Sequence, residues 1–187
     1  MAHLIYSMLT SLDGYVEDAD GGFAWATPSE EVHAYANDIG ASVGTYLYGR
    51  RMYETMLFWE TAHEVPGIGA VELAWARSWR AAEKVVFSTT LAALRSERTR
   101  VERSFDPDAV RAWVAAADRD VAIAGPEIAA RAIAAGLVDE LHVIVAPVVV
   151  GGGKRLFPAG SRLDLRLVEQ RGFADGFVAL RYAVRGG

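Results

Sequence analysis

The sequence predicts a single α/β domain: a mixed sheet, mostly parallel, with an antiparallel C-terminal edge and helices on both faces. Two observations carry this. Strand-like runs alternate with helical periodicity as far as about Leu141, and strand-like runs then follow one another, residues 163–170 and 177–184, joined through Asp175-Gly176. Alternation of the first kind builds a parallel sheet, and a terminal hairpin adds an antiparallel edge. The 187 residues suit one domain, 1–187, with a full core.

The elements follow in order. Residues 3–12 read as a first strand, broken by Asp13-Gly14. A glycine- and aspartate-rich loop runs through Gly21-Gly22 to Trp25. Thr27-Pro28-Ser29-Glu30 reads as a helix start, with Thr27 as the cap, Pro28 in the first turn and Glu30 reaching back. Val32, Tyr35, Ala36 and Ile39 then recur at helical spacing. Residues 45–48 form a short strand ended by Gly49, and 50–56 continue as a helix. Val71, Ala74, Trp75 and Ser78 mark another helix. A strand over 84–87 ends at Ser88-Thr89-Thr90, and 99–103 forms a further one. Asp106-Pro107 caps a helix whose buried stripe is Val110, Trp113, Val114 and Ala117. Residues 121–124 are a buried strand, which Gly125-Pro126 turns into a helix ending near Gly136, and 141–150 form a strand.

Composition narrows the function classes. At 52% hydrophobic and 23% charged, the chain is that of a packed globular protein. It has no cysteine, which excludes a disulfide scaffold, a thiolate zinc site and a cysteine nucleophile. The net charge of −5 argues against a nucleic-acid partner. No run reaches the roughly 20 apolar residues of a membrane helix; the longest, around 143–150, contains Pro147. Met1-Ala2-His3 leads straight into Leu4-Ile5-Tyr6 without a basic stretch, so a cytoplasmic location is expected. His3, His33, His63 and His142 show no metal-ligand spacing. Gly151-Gly152-Gly153-Lys154 lacks the Ser or Thr of a phosphate loop, and Asp18-Ala19-Asp20 lacks the glycine of a calcium loop.

Four constellations could carry chemistry. Tyr48-Gly49-Arg50-Arg51-Met52-Tyr53-Glu54 lies where a strand becomes a helix, and two guanidiniums beside a glycine suit a phosphate; the alternative is an exposed turn with solvated arginines. Ser88-Thr89-Thr90 places hydroxyls at a strand's carboxyl end, where open α/β sheets bind ligands; the alternative is a cap for the next segment. Gly125-Pro126-Glu127-Ile128 repeats the strand-to-helix turn and is a diphosphate candidate, with Glu127 expected to point away, or else a plain tight turn. Together the three describe one extended dinucleotide groove. Asp13, closing the first strand, is the candidate catalytic carboxylate, against the alternative of a common Asp-Gly turn.

The order of these motifs, with Ser11-Leu12-Asp13-Gly14, Ala135-Gly136-Leu137-Val138-Asp139-Glu140-Leu141 and the Pro147–Phe157 stretch, resembles the dihydrofolate reductase superfamily over nearly the whole chain. It is most similar to the branch containing the C-terminal reductase domain of bifunctional riboflavin biosynthesis proteins. The resemblance implies a dihydrofolate-reductase-like fold and an NADPH-dependent oxidoreductase. It places the adenosine phosphate near Gly49, Arg50, Arg51, Met52, Ser88 and Thr89, and the diphosphate near Gly125 to Ile128. It frames the substrate pocket by Asp13, the loop to Trp25, the helix from Glu30 with Glu31, and Tyr53. It also implies a homodimer. One departure is plain: Ala124 stands where the family usually carries the first of two glycines.

The expected reaction is hydride transfer from nicotinamide C4 to a pyrimidine-, pterin- or flavin-like substrate, as in 5-amino-6-(5-phosphoribosylamino)uracil reductases. Asp13 would orient the substrate or relay a proton. The alternatives are a non-catalytic nucleotide-binding protein and a flavin-binding protein using the same groove.

Overall fold

The computed structural model describes residues 1–185; the last two residues of the expected domain, 186–187, lie outside the described residues. The chain begins with β1 (Leu4–Ser11), the short β2 (Tyr15–Glu17), α1 (Glu30–Gly40), β3 (Val43–Gly49), α2 (Arg50–Met56), α3 (Phe58–Thr61) and α4 (Ala70–Ala81). It continues with β4 (Glu83–Phe87), β5 (Thr99–Glu102), α5 (Pro107–Ala116), β6 (Asp120–Ala124), α6 (Pro126–Ala134), β7 (Glu140–Ala146) and β8 (Lys154–Arg155). A hairpin of β9 (Leu165–Gly172) and β10 (Val178–Val184) ends it.

Eight strands form one sheet in the order β5-β4-β3-β6-β1-β7-β10-β9. The first six run parallel, and β10 and β9 add the antiparallel edge. This is the expected mixed sheet. The two smallest strands, β2 and β8, pair with each other outside it. At three and two residues they are too short to leave a periodic signal.

Each face of the sheet has its own cover. Leu4, Tyr6, Leu47, Val85 and Ile123 point to the face covered by α5 and α6, where one large apolar cluster forms. The opposite face is split. One cluster joins Tyr46, Tyr48, Val86 and Ala122 to α2 and to Trp79 of α4. A separate one joins Ile144, Ala146 and Ala179 to Val32 and Tyr35 of α1. What lies between them is a cavity.

Three element ends differ from expectation. Helix α1 is capped by Ser29, whose Oγ accepts from the Val32 N–H at 3.4 Å, while the Thr27 hydroxyl donates back to the Ala24 carbonyl. Pro28 thus lies before the cap, where its missing N–H costs nothing. β7 stops at Ala146, because Pro147 cannot donate to a ladder. β9 starts at Leu165 and runs to Gly172, two residues later than the apolar run alone indicates.

Lys84, 1% exposed, closes the α4–β4 junction. Its Nζ donates to the carbonyls of Trp79, Arg80 and Ala82 at 3.0, 3.4 and 2.9 Å and lies 4.4 Å from the Trp79 ring centroid. Burial pushes its ammonium below the ordinary lysine range. These carbonyls end a helix, so the cation satisfies groups that no backbone donor reaches. Lys84→Met is expected to lower stability by about 2–4 kcal/mol, read as a shifted midpoint in urea unfolding with an unchanged slope.

Candidate active site

The cavity between the two clusters measures about 1010 Å³. Ligand pockets run on the order of 300–1,000 Å³, so there is room for a dinucleotide and a second ring together. Its floor is the sheet itself. Ile5, Ser7 and Leu9 of β1, Tyr46 and Tyr48 of β3, Ala122 and Ala124 of β6 and Ile144 of β7 alternate along their strands, so all face one side. Ser7, Ala122 and Ala124 are small, and that leaves depth over the central strands.

The three predicted turns meet at the rim. Strands β4, β3 and β6 are neighbours, and their register sets Gly49 opposite Phe87 and Tyr48 opposite Ala124. Three strand ends therefore stop at one level. Gly49, Arg50, Arg51 and Met52, Ser88 and Thr89, and Gly125, Pro126, Glu127 and Ile128 all line the cavity.

Their geometry is specific. Arg50 donates to the Thr90 hydroxyl at 3.0 Å and pairs with Glu54 at 3.1 Å. Arg51 is exposed and makes no ion pair among the described residues. The Ser88 Oγ accepts from the N–H groups of Thr90 and Leu91 at 3.2 and 3.0 Å, which leaves its proton to donate outward. Arg103 braces this loop through the carbonyls of Ser88 and Leu91, both at 3.0 Å. Gly125 has φ +98, and a Cβ there would stand 3.2 Å from the Cβ of Met52. Only glycine takes this conformation readily, and it keeps the backbone open to a ligand. No side chain caps α6, so its first-turn N–H groups remain available. Glu127 is 78% exposed at its side chain and sits 3.5 Å from Lys154, turned toward solvent.

Four expected site residues lie elsewhere. Asp13 is outside the cavity: its carboxylate accepts from Ser11 Oγ at 2.7 Å and from the N–H groups of Val150 and Gly151 at 3.1 and 2.8 Å. These bonds, the one from Ser11 foremost, hold its carboxyl below the usual carboxylate range, so it stays ionised. It ties the turn after β1 to the segment after β7. Tyr53 is fully buried, accepts from the Arg95 N–H at 2.9 Å and shares a proton with Ser96 at 3.1 Å, so it anchors the loop before β5. Glu31 pairs with Arg171 at 3.0 Å on the outer surface. Trp25 donates to the Gly22 carbonyl at 3.2 Å and packs with the α1 cluster; its neighbours Phe23 and Ala26 reach the cavity instead.

The inner half holds residues that the sequence did not single out: His33 on α1, Trp59 on α3, and Glu72 and Trp75 on α4, over Tyr46. The His33 ring lies 5.6 Å from that of Trp59 and 6.4 Å from that of Trp75. Trp75 lies 6.3 Å from both Trp59 and Tyr46. Burial pushes the Tyr46 phenol up to about 12, so it stays neutral. The only signal in the sequence was the spacing of Glu72 and Trp75, three apart on a helix and hence on one side of it.

Comparison with known proteins accords with this geometry. The model of the RibD C-terminal domain matches residues 2–179. The uncharacterized protein YyaP of Bacillus subtilis is 25% identical over 181 residues, covering 96% of this chain and 93% of YyaP. A pyrimidine reductase-like protein of Corynebacterium diphtheriae superposes with a TM-score of 0.69 at 15% identity, covering 100% of this chain and 93% of that one. The diaminohydroxyphosphoribosylaminopyrimidine deaminase/5-amino-6-(5-phosphoribosylamino)uracil reductase of Thermotoga maritima superposes with a TM-score of 0.65 at 14% identity, covering 98% of this chain and 57% of that one. The structural likenesses show the fold, the family model spans the strands and helices that build the cavity, and the chain belongs to the RibD C-terminal domain family.

Proposed function

We propose that this protein is an NADPH-dependent oxidoreductase that passes hydride to a small nitrogen heterocycle. Membership of a reductase family supports the reaction class. The observation that carries the reading is the continuity of the cavity. One end gathers guanidiniums, hydroxyls and free N–H groups, and the other is an aromatic chamber.

The residues present fit the cofactor. Gly125 leaves the space that a Cβ would take, the α6 turn offers backbone donors for a diphosphate, and Arg50, Arg51, Ser88 and Thr89 offer donors for a further phosphate. NADPH bound there supplies the hydride. The protein supplies position: Ser7, Ala122 and Ala124 keep the floor low enough for two rings to meet, and Met8 and Met52 pack beside Gly125. The aromatic walls keep water from the meeting point.

Burial pushes the His33 imidazole below the ordinary histidine value, with the Glu72 carboxylate pulling the other way. The ring is thus uncharged at neutral pH, burial being the larger effect. Asp13, engaged in three hydrogen bonds, acts as a brace for the loop that borders the site.

Three outcomes test this. NADPH is expected to raise the melting temperature clearly, and NADH little; no shift with either would sink the reading. Arg50→Ala and Arg51→Ala are each expected to weaken NADPH about tenfold or more while leaving NADH nearly unchanged, measured by titration calorimetry. The third concerns pH. The unfolded chain protonates His33 first, so its contribution to stability is full above the ordinary histidine value and is lost as pH falls through the depressed one. The melting temperature of the wild type should therefore drop more between pH 7 and pH 5 than that of His33→Asn.

A further inference from the structure

The inner chamber is walled by three helices and floored by the sheet. From α1, α3 and α4 come His33, Ala36, Trp59, Glu72 and Trp75, over Tyr46. Among the described residues, these helices and the floor contribute no lysine or arginine to the cavity. Its cations, Arg50, Arg51, Arg103, Arg131 and Lys154, come from the first turn of α2, the loop after β5, α6 and β8. Several are engaged: Lys154 with Glu17 and Glu127 at 3.3 and 3.5 Å, Arg103 with two carbonyls, Arg50 with Glu54.

The chamber does hold one fixed charge, and it is negative. Glu72 is half-buried and makes no hydrogen bond or ion pair among the described residues. Its carboxylate folds back over Gly69 at the N-terminus of α4, in the first turn of that helix. Around it stand ring faces and edges, which favour flat partners and, through their quadrupoles, cations over anions.

We propose that the chamber selects a flat, neutral or cationic nitrogen heterocycle without a phosphate group, its ring N–H groups donating to Glu72. The proposal rests on the oxidoreductase reading of the cavity and names the substrate class within it. A phosphoribosyl-bearing pyrimidine would bring a dianion into a space with an unpaired carboxylate and no cation on its walls. The same ring without the phosphate meets aromatic surface and an acceptor. A half-buried carboxylate without a partner gains from a donor that stays bound.

The test uses the full chain with saturating NADP⁺, which fills the strand-end half and prevents turnover. Riboflavin and flavin mononucleotide differ only by a phosphate, and 2,4-diaminopteridine is a smaller ring rich in N–H donors. Binding is read by quenching of tryptophan fluorescence, since Trp59 and Trp75 line the chamber. Riboflavin is expected to bind at least tenfold more tightly than flavin mononucleotide. Glu72→Gln should weaken 2,4-diaminopteridine at least tenfold with NADP⁺ affinity unchanged. Equal or tighter binding of flavin mononucleotide overturns the proposal, most directly if Arg51→Ala removes that binding. So does a Glu72→Gln variant that binds 2,4-diaminopteridine as the wild type does, or a chamber that binds none of the three rings. Failure of NADP⁺ to shift the melting temperature, with the ring preferences as stated, would instead sink the oxidoreductase reading and leave the selectivity standing.

Discussion

The parallel pairing of β1 with β6 on one side and β7 on the other sets everything above it. Leu4 lies opposite Val121, and Tyr6 opposite both Ile123 and Leu141. That register is pinned at both ends: the Leu4 N–H donates to the Asp139 carboxylate at 2.8 Å, and the Tyr6 hydroxyl donates to the Leu156 carbonyl at 2.8 Å. Side chains alternate along a strand, so a slip of one residue would exchange Ser7 and Leu9 for Tyr6 and Met8. The cavity floor would then be filled and the opposite core hollowed. The close fit of β8 under β2 depends on the same frame. At Gly153 a Cβ would collide with the Glu17 carbonyl, so no side chain is tolerated where these segments cross.

On that frame the charges are sorted along the length of the cavity. Guanidiniums and hydroxyls collect where three neighbouring strands end, because turns are where polar side chains stand clear of the sheet. The inner half has no such turns. Its walls are helix flanks, and their side chains belong to the apolar clusters on either side. Polarity therefore follows from topology: the rim faces anionic ligand groups, and the chamber receives a flat ring. Glu72 is the exception, held in the first turn of α4.

This division also decides what could be read from the sequence. The alternation of strands and helices, the antiparallel tail and the three rim turns rest on local signals. Gly49, Gly125-Pro126 and Ser88-Thr89 carry their meaning within a few residues, and the structure brings them together as expected. Residues one helical step off target were not legible in the same way. Helix α2 turns Arg51, Met52, Thr55 and Met56 to the cavity, and Tyr53, about 100° around the axis from Met52, points into the core. Helix α1 turns His33, Ala36 and Gly40 inward, which sends Glu31 to the outer surface. Beyond the Glu72–Trp75 spacing the chamber has no sequence signature, because His33, Trp59 and the Glu72–Trp75 pair come from three helices with no fixed spacing between them. Thr27 and Ser29 both suit a helix cap, and only the backbone around Pro28 chooses between them.

A sheet face whose apolar cover is split in two opens more readily than one with a continuous core. The α5 and α6 side is sealed by a single cluster, while on the opposite side two clusters flank the cavity, and α1 and α4 are joined there by the Asn37 amide donating to the Val71 carbonyl at 2.9 Å. Local opening is governed by how many buried contacts must be broken, and the divided cover has fewer to break than the sealed one. A ligand seated in the cavity would touch both clusters and so favour the closed form. A filled cavity would then also lengthen the life of the protein against proteases, since cleavage needs the open form.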